Sequence, residues 1–168
     1  MKKPLRLAIY FIVCALMVAL DQVTKYFAVI YLKGRENAVW IKNVFELQYV
    51  ENDGAAFSSF SGKQGFLLAI TSIVLILVIV EFVRIPEDKR YNLLRINFLM
   101  IVAGALGNMI DRVRQGYVVD FFYFVPINFP RFNVADIYVT LAMPLLVILL
   151  FFVYKDNETE FLFKFRKK

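Results

Sequence analysis

The chain contains no histidine and a single cysteine, Cys14, among its 168 residues. Without histidine, a His-activated serine or cysteine nucleophile and a His-ligated metal site are both excluded. One cysteine can form neither an internal disulfide nor a cysteine cluster that holds a metal ion. Any acid–base chemistry must therefore come from carboxylates, lysine, tyrosine or the lone thiol.

Charged residues are also sparse, at 20% of the chain, whereas 60% of the residues are hydrophobic and 17% are aromatic. The mean hydropathy is +0.62, and an ordinary soluble domain is only about 45–50% apolar. This composition is typical of a membrane protein. Since a domain averages about 150 residues, we expect a single membrane domain over residues 1–168.

Four apolar runs approach the ~20 residues that cross a ~30 Å hydrocarbon core. They cover residues 5–24, 66–83, 93–110 and 137–154. Each is expected to be a helix, because lipid cannot satisfy the open edges of a sheet. The predicted fold class is a mainly α membrane protein, a four-transmembrane-helix bundle.

The basic residues predict the direction of the four spans. Three segments carry 12 of the 20 basic residues: the N-terminus, the loop between the second and third spans, and the C-terminus. Seven others flank the spans on the opposite side, and Lys25 lies near the end of the first span. Because positive residues collect on the cytoplasmic side, both termini are expected in the cytoplasm.

The outer segment between the first two spans has a pattern of its own. Residues 45–49 alternate between apolar and polar, as in a strand with one wet face. Residues 52–54 read Asn-Asp-Gly, which is a turn signal, and residues 55–60 could return as a second strand. We expect a small sheet over about residues 38–62. Trp40 would place this sheet at the lipid headgroups, where aromatic residues collect.

Four aspartates are expected at one depth near the outer surface: Asp21, Asp111, Asp120 and Asp136. They come from three spans and one connecting loop. Ionisable residues so close to lipid are costly, and their presence favours a functional site.

Each aspartate also has a purely structural interpretation. Asp21 and Lys25 are spaced as a helix-surface pair near water, and Asp136 can be the N-cap of the last helix. Asp120 falls in a loop, where an aspartate is ordinary. Four such coincidences at one depth are less probable than one, so a site is the favoured interpretation.

Small residues make the outer half of the third span narrow. Gly104 and Gly107 lie there together with two alanines. Small residues allow helices to approach closely in lipid, so the neighbouring helices are expected to pack tightly around Asn108.

Two carboxylates in a small, partly dehydrated site cannot both ionise cheaply. One then holds a proton while the other acts as a base toward water. This arrangement can activate water against an amide without histidine, serine or a metal ion.

Five short runs resemble the signature blocks of a known family. They are DQVTK at 21–25, NDGAAFS at 52–58, GALGNMIDR at 104–112, VDF at 119–121 and FNVAD at 132–136. In this order and spacing they resemble bacterial lipoprotein signal peptidase, also called signal peptidase II. With the four spans, the resemblance covers nearly the whole chain. Two small departures, Ala103 and Ile137, bear only on local packing and on how the last helix is capped.

The resemblance implies an intramembrane aspartic endopeptidase with four transmembrane helices, an outer β-cradle and a short outer helix. It would cut diacylglyceryl-modified prolipoproteins on the N-terminal side of the lipidated cysteine. Asp120 and Asp136 match the catalytic pair. The supporting positions are Asp21, Lys25, Asn52, Gly54, Asn108, Asp111, Arg112 and Asn133.

The expected partners are the prolipoprotein substrate and membrane lipid, with no nucleic acid, no cofactor and no metal ion. The enzyme would be a monomer in the bacterial cytoplasmic membrane, with its site near the extracytoplasmic face.

Two other classes of protein remain open. A small proton- or ion-coupled transporter also carries carboxylates in its helices. Transporters hold them near the midplane within repeated halves, and this sequence shows neither a repeat nor a charge at the centre of the second and fourth spans. A non-enzymatic lipid-binding or assembly factor is the third possibility, although it would not need a carboxylate pair.

Overall fold

The protein is described from a computed structural model, over residues 3–54 and 62–163. This part of the chain contains four helices long and apolar enough to cross a membrane, which confirms the predicted bundle. They are α1 (Lys3–Leu32), α2 (Gln64–Arg84), α3 (Asn92–Gln115) and α4 (Val134–Ile148). The shorter elements are β1 (Ala38–Ile41), β2 (Phe45–Asn52), β3 (Val118–Phe124) and α5 (Asp156–Phe163).

Helix α3 is the centre of the bundle. In its most apolar stretch 56% of the residues are buried inside the protein, against 6%, 6% and 11% in α1, α2 and α4. The apolar side chains of the other three helices therefore face outward, as lipid-facing surfaces do. Gly116 ends α3 in a left-handed conformation, with its N–H bonded to the carbonyl oxygen of Arg112, as is common at helix C-termini.

Helix α1 is longer than predicted. It continues to Leu32, whereas the apolar run was expected to end at residue 24. Asp21 and Lys25 consequently lie inside a helix rather than at its outer edge. Both side chains are buried, so the interpretation of a surface pair near water is wrong.

Helix α4 begins at Val134 rather than at residue 137, and Asn133 is its N-cap. Asp136 is therefore not the cap. It is the third helical residue and completes a capping box, in which its carboxylate accepts from the Asn133 backbone N–H. After Ile148 the helix continues as a π-helical turn, Leu149–Val153.

The three strands form one antiparallel sheet in the order β1-β2-β3. The sheet packs on the last turns of α1, where Ala28 and Leu32 contact Val119 and Phe121. We call this end of the bundle the sheet end. The start of α1 and helix α5 lie at the opposite end, where Glu158 of α5 is paired with Arg90.

The structure confirms a small outer sheet, but one of its strands was not predicted. Asp120 lies in strand β3 rather than in a loop, and β3 pairs with β2. Asn52 ends β2, and its side-chain oxygen accepts the N–H of Gly54 in the expected turn. The return strand proposed for residues 55–60 lies outside the described residues. The resemblance also implies a short outer helix. Among the described residues of the sheet end, the short helix is one 3₁₀ turn, Val125–Ile127.

The glycines of α3 allow close packing, as predicted. A Cβ at Gly104 would lie 2.6 Å from the carbonyl oxygen of Ala135 and 2.6 Å from a methyl carbon of Val139. A Cβ at Gly107 would lie 2.5 Å from a carboxylate oxygen of Asp21. All three distances are shorter than contacts that a real Cβ tolerates, so α1 and α4 reach α3 only because these two residues lack side chains.

We predict that Gly104→Ala destabilises the protein by about 1–3 kcal/mol, because the added methyl overpacks the α3–α4 contact. Gly65→Ala in α2 is the matched control, since nothing lies within 4 Å of its added Cβ and alanine favours helix. Thermal unfolding in detergent compares the two. Equal melting temperatures for both variants would contradict the packing described here.

Candidate active site

A buried ionic cluster joins α1 and α3 at the sheet end; it consists of Asp21, Gln22, Lys25 and Asp111. The Lys25 ammonium lies 2.9 Å from Asp21 Oδ2 and 3.0 Å from Asp111 Oδ2. All three charged residues are nearly inaccessible to solvent, at 0–4% exposure. Buried charges are stable only when they are paired and hydrogen-bonded, and the cluster meets both conditions.

Further donors complete the ionic cluster. The Gln22 side-chain amide donates to Asp111 Oδ1 at 3.0 Å and to the carbonyl oxygen of Gly107 at 3.1 Å. The backbone N–H of Ala135 donates to Asp21 Oδ1 at 2.9 Å, and that of Val119 donates to Asp111 Oδ2 at 3.2 Å. The cluster thus fixes the first turn of α4 and the start of β3 to α1 and α3.

Asn108 connects the ionic cluster to Asp136. Its Oδ1 accepts from the Lys25 ammonium at 2.9 Å, and its Nδ2 donates to Asp136 Oδ1 at 2.7 Å. Because an ammonium can only donate, Lys25 determines which end of the Asn108 amide faces the cluster. The other end, the NH₂ group, must then face Asp136.

Asn133 connects Asp136 to Asp120. Its Nδ2 donates to Asp120 Oδ1 at 2.7 Å and to Asn108 Oδ1 at 3.1 Å. Its backbone N–H donates to Asp136 Oδ2 at 3.1 Å. Asn52 donates to the second oxygen of Asp120 at 2.8 Å. Each of the two carboxyl groups therefore receives two hydrogen bonds, and the two groups share Asn133 as a donor.

A cavity of about 700 Å³ lies between the sheet and the helices. Its polar residues include Asp120, Asp136, Asn52, Asn108 and Arg112. Its apolar wall includes Ile70 and Val74 of α2 and Leu141 of α4, which are exposed side chains of membrane-spanning helices. The carboxyl pair thus borders a cavity that is open toward the lipid.

Burial and the nearby charge of Asp136 raise the pKa of Asp120 from its usual value near 4 to about 7. Hydrogen bonds from Asn52 and Asn133 oppose this rise in pKa, because they favour the ionised carboxylate. Near neutral pH, Asp120 consequently exchanges between its protonated and ionised forms. A carboxyl group with this property can serve as an acid or a base.

Arg112 lies at the cavity wall, and its Nη2 donates to the carbonyl oxygen of Gly54 at 3.0 Å. Its buried Nε has no hydrogen-bond partner among residues 3–54 and 62–163. The guanidinium therefore borders the cavity with one donor that the described residues leave unsatisfied.

The structure brings all ten sequence-predicted positions into one connected region. Three of them, Asp21, Lys25 and Asp111, belong to the ionic cluster; the other seven are Asn52, Gly54, Asn108, Arg112, Asp120, Asn133 and Asp136. Sequence reasoning assigned no role to Gln22, although it is part of the run at 21–25. The signal that could have identified Gln22 as part of the site was its position beside Asp21, on a helix that faces α3.

No group of three or more His, Cys, Asp or Glu residues in the described ranges is arranged to hold a metal ion. The ionic cluster has Lys25 at its centre, which occupies the position between Asp21 and Asp111 that a cation would take. The two carboxyls at the cavity are instead satisfied by amide donors.

Fold and site together define a multi-pass membrane protein with one buried and one partly buried carboxyl group, Asp120 and Asp136, at a lipid-open cavity. The family model described as signal peptidase (SPase) II matches residues 13–152. The chain belongs to the signal peptidase II family, and it is accordingly a multi-pass protein of a bacterial membrane and a peptidase by family.

Curated relatives support this assignment over nearly their whole length. The lipoprotein signal peptidase of Lactococcus lactis subsp. lactis is 42% identical over 161 residues, covering 95% of this chain and 100% of the relative. That of Brevibacillus brevis is 38% identical over 149 residues, covering 89% and 99%.

Solved structures agree with the fold. A bacterial membrane enzyme determined by the in meso method superposes with a TM-score of 0.75 at 32% identity, covering 96% of this chain and 94% of that chain. A second bacterial membrane enzyme gives a TM-score of 0.75 at 34% identity, covering 88% and 95%.

We predict that Lys25→Met lowers the free energy of unfolding by about 3 kcal/mol or more, because it leaves two buried carboxylates without their cation. Lys33→Met is the matched control: its partner Glu51 is at 2.7 Å, but both side chains are solvated, and such pairs contribute little. Denaturant unfolding in detergent measures both variants. A Lys25→Met protein as stable as the control would show that the cluster does not hold these elements together.

Proposed function

We propose that this protein is an aspartic endopeptidase that cleaves diacylglyceryl-modified prolipoproteins on the N-terminal side of the lipidated cysteine. The observation that carries the proposal is the pair Asp120 and Asp136, which share the donor Asn133 and border one lipid-open cavity. Membership of the signal peptidase II family supplies the substrate class.

In this mechanism Asp120 holds the proton and Asp136 is the base. The raised pKa of Asp120 keeps this carboxyl protonated up to about neutral pH. Asp136 accepts a proton from a water molecule, whose oxygen attacks the scissile carbonyl carbon. Asp120 donates its proton to the carbonyl oxygen, so one proton enters the pair and one leaves. As the tetrahedral intermediate collapses, Asp136 donates its new proton to the leaving nitrogen and Asp120 takes a proton back from a hydroxyl of the intermediate. The C–N bond then breaks, which releases the amine of the lipidated cysteine and restores the starting protonation of the pair.

Positioning supplies much of the rate in this proposal. The acyl chains of the substrate lie against the apolar wall formed by Ile70, Val74 and Leu141. Lipid binding then fixes the height of the scissile bond beside the two carboxyls, which converts remote binding into proximity. Arg112 is the favoured stabiliser of the negative charge that develops on the carbonyl oxygen, because its side chain lines the cavity whereas the Asn133 side-chain donor is already used.

The same proposal includes topology and assembly. Both termini lie in the cytoplasm and the site lies at the extracytoplasmic face, in agreement with the distribution of basic residues. The start of α1 and helix α5 lie at the end of the bundle away from the carboxyl pair. The enzyme acts as a monomer, because one chain supplies both carboxyls and their four hydrogen bonds.

We predict that Asp120→Asn and Asp136→Asn each reduce cleavage at least about 100-fold, the usual contribution of a catalytic acid or base. Asp156→Asn, in α5 at the opposite end, should cleave normally. The assay incubates purified protein with a lipidated precursor peptide in detergent and detects the cut before the modified cysteine. Unchanged turnover in either of the two site variants, with the melting temperature preserved, would reject the pair. No cleavage by a well-folded wild type would favour a transporter or a lipid-binding factor.

The rate should also depend on pH in a defined direction. As pH rises through about 7, Asp120 ionises and the pair loses its single proton, so kcat/KM should fall. Asn52→Ala removes a hydrogen bond that lowers the pKa of Asp120. The basic limb of its pH profile, in which kcat/KM falls as the pH rises, should therefore move to higher pH.

Thr140→Val, on the same cavity wall, is the control and should keep the wild-type profile. A basic limb that is identical in the Asn52→Ala and wild-type enzymes would assign that limb to another group.

A further inference from the structure

One face of the sheet forms part of the cavity wall. Strand alternation places Asp120, Phe122 and Phe124 on the same face of β3. Phe45 of β2 lies directly opposite Phe124, and residues opposite each other share a face. We call this surface the cavity face, because Asp120 and Phe124 line the cavity.

A continuous row of aromatic rings connects the cavity to the free edge of the sheet. Ring centroids are 5.5 Å apart for Phe132 and Phe122, 5.6 Å for Phe122 and Phe45, and 5.9 Å for Phe45 and Trp40. Phe132 lines the cavity. The row therefore begins at the cavity wall and ends on the edge strand β1.

The outer end of this row is exposed. Trp40 and Ile41 show 71% and 57% of their surface to solvent, and Ile41 pairs with Phe45 on the cavity face. The inner end of the row joins the lipid-exposed surface of the bundle, because the cavity wall continues into Ile70, Val74 and Leu141. Counted at 1.5 Å per residue, these three side chains lie about 9–15 Å along their helices from the sheet end.

We propose that Trp40 and Ile41 insert into the headgroup region of the membrane leaflet at the sheet end, with the cavity face turned toward the bilayer. The apolar surface of the spanning helices then continues through the cavity and the aromatic row to the edge of β1. Tryptophan favours this region of a bilayer, since its ring is apolar and its N–H is polar. Lys42, the next residue and also exposed, can contact anionic headgroups.

This contact would anchor the free edge of the sheet. One edge, β3, is already fixed to the helices through Asp111 and the contact with α1. Among the described residues the other edge, β1, pairs with β2 alone. With both edges held, Asp120 remains at a constant height relative to the lipid.

The chain contains one tryptophan, so its intrinsic fluorescence reports on position 40 directly. The full-length protein is placed in nanodiscs of phosphatidylcholine and phosphatidylglycerol, with part of the phosphatidylcholine brominated at shallow or deep acyl positions. We expect blue-shifted emission, weak quenching by acrylamide, and a larger loss of emission with the shallow bromines than with the deep ones.

A double variant, Trp40→Phe with Val39→Trp, is the matched control. Val39 is 58% exposed, but it pairs with Glu46, which lies opposite Tyr123 on the other face of the sheet. The indole at position 39 should show red-shifted emission, strong quenching by acrylamide and no response to bromine. Equal bromine quenching from positions 39 and 40 would contradict the assignment of the cavity face.

Contact of Trp40 with a partner other than lipid would give different results. Emission that changes only when a lipidated peptide is added would assign Trp40 to the substrate. Emission that changes only when two copies share a nanodisc would assign it to a second chain. Either result, or wild-type emission that is quenched freely by acrylamide, would overturn the membrane contact.

Discussion

The structure depends on one buried ammonium group, that of Lys25, held between the carboxylates of Asp21 and Asp111. Removing any one of these ions from water alone costs several kcal/mol. The cost is offset only when α1, α3, β3 and the first turn of α4 meet, because each element contributes a charge or a donor. The ionic cluster is therefore stable only when all four elements are in place together.

The ionic cluster and the hydrogen bonds beside it determine the geometry of the Asp120 and Asp136 carboxyl groups. Lys25 orients the amide of Asn108, which then donates to Asp136. The capping box of α4 places Asn133 between the two carboxyls. The pairing of β2 with β3 brings Asn52 to the far side of Asp120. Asp120 and Asp136 are thus held by four hydrogen bonds from side chains and backbone of the chain itself.

The sequence predicted those features that depend on neighbouring residues. The four spans follow from apolar length, and the narrow part of α3 follows from Gly104 and Gly107. The end of α1 was misplaced, because a lysine in an apolar run usually marks the edge of lipid. Lys25 is neutralised by Asp111 of another helix, and no local pattern reveals such a partner. Strand β3 was not predicted for the same reason. Its partner is β2, and Asn52 of β2 and Asp120 of β3 are far apart in sequence.

The mechanism proposed above has Asp120 and Asp136 hold one proton between them at neutral pH. Infrared spectroscopy of the protein in nanodiscs tests it directly, as the difference between wild type and Asp120→Asn across a pH series. We expect a protonated carboxyl band that is lost in the variant and that titrates in wild type with a pKa of about 7. A band unaffected by the substitution, or an Asp120 carboxyl fully ionised well below neutral pH, would contradict this mechanism.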